Sequence, residues 1–207
     1  MALPNGQFAE NCYLVADRRT REAVMIDPGE EPAMFLAELD TRAWTLRAIW
    51  LTHAHVDHIL GVAAVRAATG APIHLHPLDR PLYDALPQFG AWLGLQVEAP
   101  PPPDAELRPG TPVRVGGYEF EVRFTPGHTP GHCIFYVASS GVCFCGDLIF
   151  AGSVGRTDLP GANWRHLVES IKTQIFTLPD ETRLLSGHGP ETTVGEEKES
   201  NPFVSGI

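Results

Sequence analysis

A chain of 207 residues, 43% hydrophobic and 19% charged, is long enough to bury a core and has the balance of a folded globular protein. Its formal net charge of -10 argues against nucleic acid as a partner, because phosphate backbones are held by basic surface. No run approaches the roughly 20 apolar residues of a membrane helix. Residues 1–6 lack a basic stretch leading into an apolar one, so no membrane span, no signal peptide and a cytoplasmic location are expected.

The apolar runs 11–16 and 22–26, separated by the charged turn 17–21, predict strands. Asp27-Pro28-Gly29 ends the second. Met34, Phe35 and Leu39 are spaced for a helix over 31–40. A buried strand over 47–52 runs straight into His53, a helix over 59–69 is stopped by Gly70, and 72–76 returns to strand. Residues 77–110 are Pro-rich and carry Tyr83, Phe89 and Trp92, which predicts a short helix or two followed by an extended polyproline connection. Strands follow near 112–115, 118–124, 132–137 and 142–146. A helix over 163–178 has Asn163 as N-cap and Leu167, Ile171 and Ile175 on one face, and a last strand, 182–186, delivers His188. One domain over 1–207 is expected, with two similar halves, about 1–76 and 111–207, joined by the Pro-rich segment. Two strand-rich halves with helices outside suggest a four-layer α/β/β/α sandwich of two packed mixed sheets. Cys12, Cys133, Cys143 and Cys145 form no CxxC pair and read as small buried hydrophobes rather than disulfides or zinc ligands.

Chemistry concentrates at the strand ends. His53, His55, Asp57 and His58 form HxHxDH; His128 sits in Pro126-Gly-His128, Asp147 follows Cys145-Gly146, and His188 lies between Gly187 and Gly189. Imidazole and carboxylate are ligands that zinc, iron and manganese accept, and a cluster without cysteine suits a catalytic centre with open positions. In an extended segment His53 and His55 point the same way and can share one ion, while the turn into the next helix lets Asp57 and His58 face a second. Two ions about 3.5–4 Å apart are the usual arrangement for metal-assisted hydrolysis.

HxHxDH, a glycine-flanked histidine, the Gly146-Asp147 pair and the late Gly187-His-Gly189 together resemble the metallo-β-lactamase superfamily over nearly the whole chain. Within it, Gly146-Asp-Leu-Ile-Phe150, 152–161 and the tail 187–196 look like the short bacterial glyoxalase II-like (hydroxyacylglutathione hydrolase-like) branch. The resemblance implies two divalent ions, zinc, iron or manganese. His53, His55 and His128 would hold the first, and Asp57, His58 and His188 the second. Asp147 would bridge both with a water or hydroxide, making Asp57 and Asp147 the catalytic carboxylates. It further implies hydrolysis of a small thioester such as an S-2-hydroxyacylglutathione, and a carboxylate at Asp147 argues against β-lactam cleavage. Longer members carry a C-terminal helical domain that grips glutathione, and none is expected here. Arg156, where long glyoxalases carry a glutathione-contacting lysine, is a candidate anion-binding residue; a salt bridge with Asp158 is the alternative. A different reading is a mononuclear-iron persulfide dioxygenase, an oxidoreductase sharing HxHxDH; the Leu159-Pro160-Gly161 continuation leans toward the hydrolase.

Seven other residues are weighed beside these. His74 and His76 read as exposed or satisfied strand histidines. For His132 a bond to a metal ligand is the weaker alternative. Asp27 divides evenly between orienting a ligand imidazole and closing an Asx-turn. Tyr83, Phe89 and Trp92 read as core rather than as a lid over the site.

Overall fold

The computed structural model describes residues 1–206. The chain divides into two compact units, Met1–Leu107 with Arg114–Tyr118, and the remainder.

In the first unit the order is β1 (Ala2–Asn5), β2 (Glu10–Asp17), β3 (Glu22–Ile26), α1 (Pro32–Arg42), β4 (Thr45–Trp50), α2 (Val56–Ile59), α3 (Val62–Thr69), β5 (Ile73–Leu75), α4 (Arg80–Asp84), α5 (Leu86–Trp92) and β6 (Ala105–Glu106). These strands make one mixed sheet in sequence order, β1 to β3 antiparallel and β3 to β6 parallel. Parallel strands joined through helices bring their carboxyl ends to one edge. That edge carries Asp27 after β3, Thr52 and His53 after β4, and His76 after β5. Phe35 and Leu39 of α1 and Val62 and Val65 of α3 are buried with Met25, Ile49 and Ile73 of the sheet. Each such side chain contributes about 1.5–3 kcal/mol.

The second unit contains β7 (Val113–Val115, ending in the 114–118 segment), β8 (Tyr118–Phe124), β9 (Cys133–Val137), β10 (Val142–Gly146), β11 (Ile149–Phe150), β12 (Ser153–Val154), α6 (Trp164–Ser170), β13 (Arg183–Ser186), β14 (Thr192–Thr193) and α7 (Val194–Ser200). Its mixed sheet has the order β14-β13-β10-β9-β8-β7, with β10 and β13 parallel and β8, β9 and β10 antiparallel. Strands β11 and β12 form a separate small hairpin. Leu167, Ile171 and Ile175 are fully buried with Ile134, Cys143, Cys145, Leu184 and Val194.

Most expected elements form near their expected positions, with instructive differences. The helix expected over 59–69 is two pieces that break around Gly61, where a side chain would collide with the Gly29 carbonyl. The helix expected over 163–178 has its Asn163 cap, Oδ1 accepting the His166 N–H at 3.1 Å, but loosens after Ser170 into a π turn over Ile171–Ile175. The Pro-rich segment packs into the first unit: Tyr83 and Leu86 join its core, the Tyr83 hydroxyl donates to the Pro101 carbonyl at 2.8 Å, and β6 pairs with β5. Trp92 departs from its core reading, being 76% exposed at the end of α5, where its ring meets Phe89 edge-on with centroids 5.1 Å apart. Strands β1, β11 and β12 and helix α7 were not expected; the strands' two to four residues are too few for periodicity to register, and α7, with Val194 as its one large apolar side chain, has no apolar face to read. All four cysteines are buried and unbridged. Among the described residues no helix is long and apolar enough to cross a membrane.

Candidate metal centre

The first unit contributes HxHxDH, with His53 and His55 in the turn after β4 and Asp57 and His58 in α2. Asp27 organises it. Its Oδ1 accepts the Thr52 N–H at 2.7 Å and its Oδ2 accepts the Thr52 hydroxyl at 2.5 Å. Because that hydroxyl donates to Asp27, its oxygen accepts from His53 Nδ1, 3.0 Å away. The same Asp27 Oδ2 lies 3.2 Å from His58 Nδ1. A ring nitrogen facing an acceptor carries the proton, so in both imidazoles Nε2 is the atom that could hold a metal. The rings are close, centroids 4.1 Å apart for His53 and His58 and 4.9 Å for His53 and His55, and Asp57 Oδ2 stands 3.8 Å from His58 Nε2. Ligand atoms of Asp27, His53 and His58 lie within 4.8 Å of one another, all three residues buried. Three imidazoles and the Asp57 carboxylate gathered in one short segment are a donor set that a divalent cation accepts, with Asp27 behind two of them as the orienting acceptor.

Two further carboxylates support the turn. Asp79, fully buried, accepts the Ala54 N–H at 3.0 Å and fixes the link between His53 and His55. Glu10, 1% exposed, accepts from Asn5 Nδ2 at 2.7 Å and lies 3.7 Å from His58 Nδ1. Burial pushes its carboxyl well above the ordinary carboxylate range, with the His58 charge pulling the other way.

In the second unit Asp147 follows β10, and His188 follows the parallel β13. Asp147 Oδ2 is 3.5 Å from His128 Nε2 and 3.5 Å from His188 Nε2, so one carboxylate oxygen sits between two imidazoles. His128 Nδ1 donates to the Arg156 carbonyl at 2.9 Å, again leaving Nε2 as the atom that could hold a metal. The same loop packs tightly from the other side: a side chain on Gly155 would collide with the Asp147 carbonyl. Buried Glu197 of α7 anchors that loop by accepting the Gly152 N–H at 3.0 Å.

All seven expected ligands thus lie in two clusters, His53, His55, Asp57 and His58 in the first unit and His128, Asp147 and His188 in the second. Arg156 makes the ion pair, two contacts of 2.7 and 2.8 Å to Asp158, which holds the Asp158 carboxyl down at about 2. Of the residues set aside, His74 is half-buried in β5, and His76 accepts the Leu78 N–H at 3.4 Å, as satisfied histidines do. Asp27 proves to orient imidazoles. His132 does bond a ligand residue: its Nε2 accepts the Asp147 N–H at 3.1 Å, because β9 and β10 lie side by side. Sequence reasoning missed Glu10 and Asp79. A lone acid carries no local signal of burial.

The Metallo-beta-lactamase superfamily model matches residues 5–188. Hydroxyacylglutathione hydrolase GloC of Haemophilus influenzae is 34% identical over 98% of this chain and 96% of its own. Among solved structures, the BLEG-1 B3 metallo-beta-lactamase superposes with TM-score 0.93 at 38% identity, covering 100% of this chain and 99% of that one. TTHA1623, solved in a di-iron-bound form, gives 0.90 at 44%, covering 99% and 100%. ETHE1 from Myxococcus xanthus gives 0.83 at 31%, covering 100% and 84%. Mixed sheets with helices, as expected from the sequence, are what the chain shares with these solved neighbours, and on the length matched by the family model and by its relatives it belongs to the metallo-beta-lactamase superfamily.

Proposed function

We propose that this metallo-hydrolase is a dinuclear thioester hydrolase of the glyoxalase II type. In this reading His53, His55 and His128 hold one ion, Asp57, His58 and His188 the other, and Asp147 both. One observation carries it: Asp147 places a single carboxylate oxygen 3.5 Å from His128 and 3.5 Å from His188, histidines assigned to different ions. Likeness to GloC supports the reaction class, and likeness to the di-iron form of TTHA1623 supports two metals. Zinc, iron or manganese bound there would supply hydroxide at neutral pH and an electrophile for a developing oxyanion.

The protein's own groups do the rest. Thr52 and Asp27 fix the imidazoles of His53 and His58, and the Arg156 carbonyl fixes that of His128. Asp27 accepts hydrogen bonds from the turn through both oxygens, and buried Asp79 holds the Ala54 N–H, so both carboxylates serve the turn rather than a leaving group. A thiolate, whose parent thiol has a pKa of about 8.5, departs without such help, whereas an amine needs it. The substrate is therefore a small thioester. For Arg156 to grip its anionic end, the guanidinium must exchange Asp158 for the substrate.

Likeness to BLEG-1 favours a second reading, opening of a β-lactam ring. The deciding experiment assays chelated and metal-reconstituted protein against S-D-lactoylglutathione, other thioesters and a β-lactam. Metal-dependent thioester turnover that exceeds lactam turnover at least tenfold supports the proposal. The reverse ratio, or oxygen uptake with glutathione persulfide and no hydrolysis, overturns it.

A further inference from the structure

The second sheet places a row of side chains beside Asp147. In the antiparallel register of β8 and β9, Phe124 faces Cys133, and the next step is closed by the Thr125 N–H donating to the His132 carbonyl at 2.9 Å. Because β9 and β10 are also antiparallel, the start of β9 lies beside the end of β10. Thr125, His132 and Asp147 therefore stand side by side where three strands end. Thr125 and His132 are fully buried.

The hydrogen bonds fix a protonation state. A backbone N–H only donates, so His132 Nε2, 3.1 Å from the Asp147 nitrogen, is the acceptor and carries no proton. The ring's proton is then on Nδ1, where the Thr125 hydroxyl oxygen receives it at 2.8 Å. Asp147 is thus held through its amide by His132, while Gly155 leaves room for nothing larger against its carbonyl.

We propose that His132 is a positioning residue. As a neutral Nδ1–H imidazole braced by Thr125, it holds the Asp147 backbone so that the carboxylate stays between His128 and His188. This rests on the reading of Asp147 as the ligand shared by both ions. Phenylalanine at 132 keeps ring volume but offers no acceptor, whereas the glutamine side-chain carbonyl reaches about as far as Nε2.

The test combines tautomer and metal binding. Histidine-selective nitrogen-15 NMR of the metal-free wild type is expected to show His132 protonated at Nδ1 alone. Zinc competition with a chelator is expected to show 10–100-fold weaker binding of zinc by His132→Phe. His132→Gln is expected to stay within about threefold of wild type, a rescue that a purely space-filling role would not give. A proton on Nε2, wild-type zinc affinity in His132→Phe, or a glutamine variant as weak as the phenylalanine one would each overturn the proposal. Asp147→Ala separates the two readings. It keeps the amide that His132 holds, so its His132 tautomer stays Nδ1–H. If Asp147→Ala binds two zinc ions as wild type does, the shared-ligand reading fails, and with it the consequence for metals, while the tautomer still reports the His132 contact.

Discussion

Replacing Asp27 with asparagine is an almost isosteric change that removes one acceptor from a site where three donors converge. Thr52 N–H meets Oδ1, while the Thr52 hydroxyl and His58 Nδ1 both meet Oδ2. Asparagine tolerates the left-handed backbone at this position, φ +52°, so the backbone need not move. Its single carbonyl can occupy only one of the two oxygen positions. Turned toward His58, it leaves the amide facing the Thr52 N–H; turned the other way, it strands the His58 proton. Either choice leaves a buried donor without an acceptor, about 1–3 kcal/mol, and weakens the remaining bonds by removing their charge. In a chain of this length that corresponds to a fall of roughly 2–12 °C in the Tm of the metal-free protein. A ligand imidazole that loses its orienting carboxylate typically costs 10–100-fold in metal affinity. Glu10, 3.7 Å from the same His58 nitrogen, is the next acceptor in reach, so Asp27→Asn with Glu10→Gln should fall further than Asp27→Asn alone. Differential scanning calorimetry and zinc competition provide the readouts. Unchanged Tm and zinc affinity within twofold of wild type would refute the role given to Asp27.

Gly155→Ala should weaken metal binding and cost about 1–3 kcal/mol, because its side chain must displace the Asp147 carbonyl; wild-type Tm and affinity would contradict the tight packing. Thr193→Ala should cost about 1 kcal/mol, seen as a Tm lower by about 2–4 °C with turnover unchanged, since it removes only the capping box that Thr193 and Glu196 form at α7. Asp158 should titrate at about 2 in the native protein and return toward 3.8 in Arg156→Gln, as read by carboxylate NMR. Because its folded value is depressed, its contribution is present above pH 3.8 and is lost as pH falls through about 2.

The candidate ligand set was legible as clusters because strand ends concentrate it into short motifs. HxHxDH runs from the turn after β4 into α2, and Asp147 and His188 each follow a strand within two residues. The supporting residues were hidden for different reasons. Asp27 sits in Asp-Pro-Gly, which reads equally well as a turn, and only the neighbouring parallel strand brings Thr52 and His58 onto it. Glu10 and Asp79 act across 48 and 25 residues of chain, on His58 and Ala54, and no local pattern marks such contacts. His132 was undervalued because its partner is set by strand pairing rather than by sequence distance. Trp92 shows the converse error: helical spacing matched a core position, but α5 ends there and leaves the ring exposed.

The most direct test titrates chelated protein with zinc or iron(II) and follows hydrolysis of S-D-lactoylglutathione against ions added. The dinuclear account predicts activity that keeps rising to a plateau at two equivalents per chain. A plateau at one equivalent of iron, with oxygen consumed and no thioester cleaved, would contradict it.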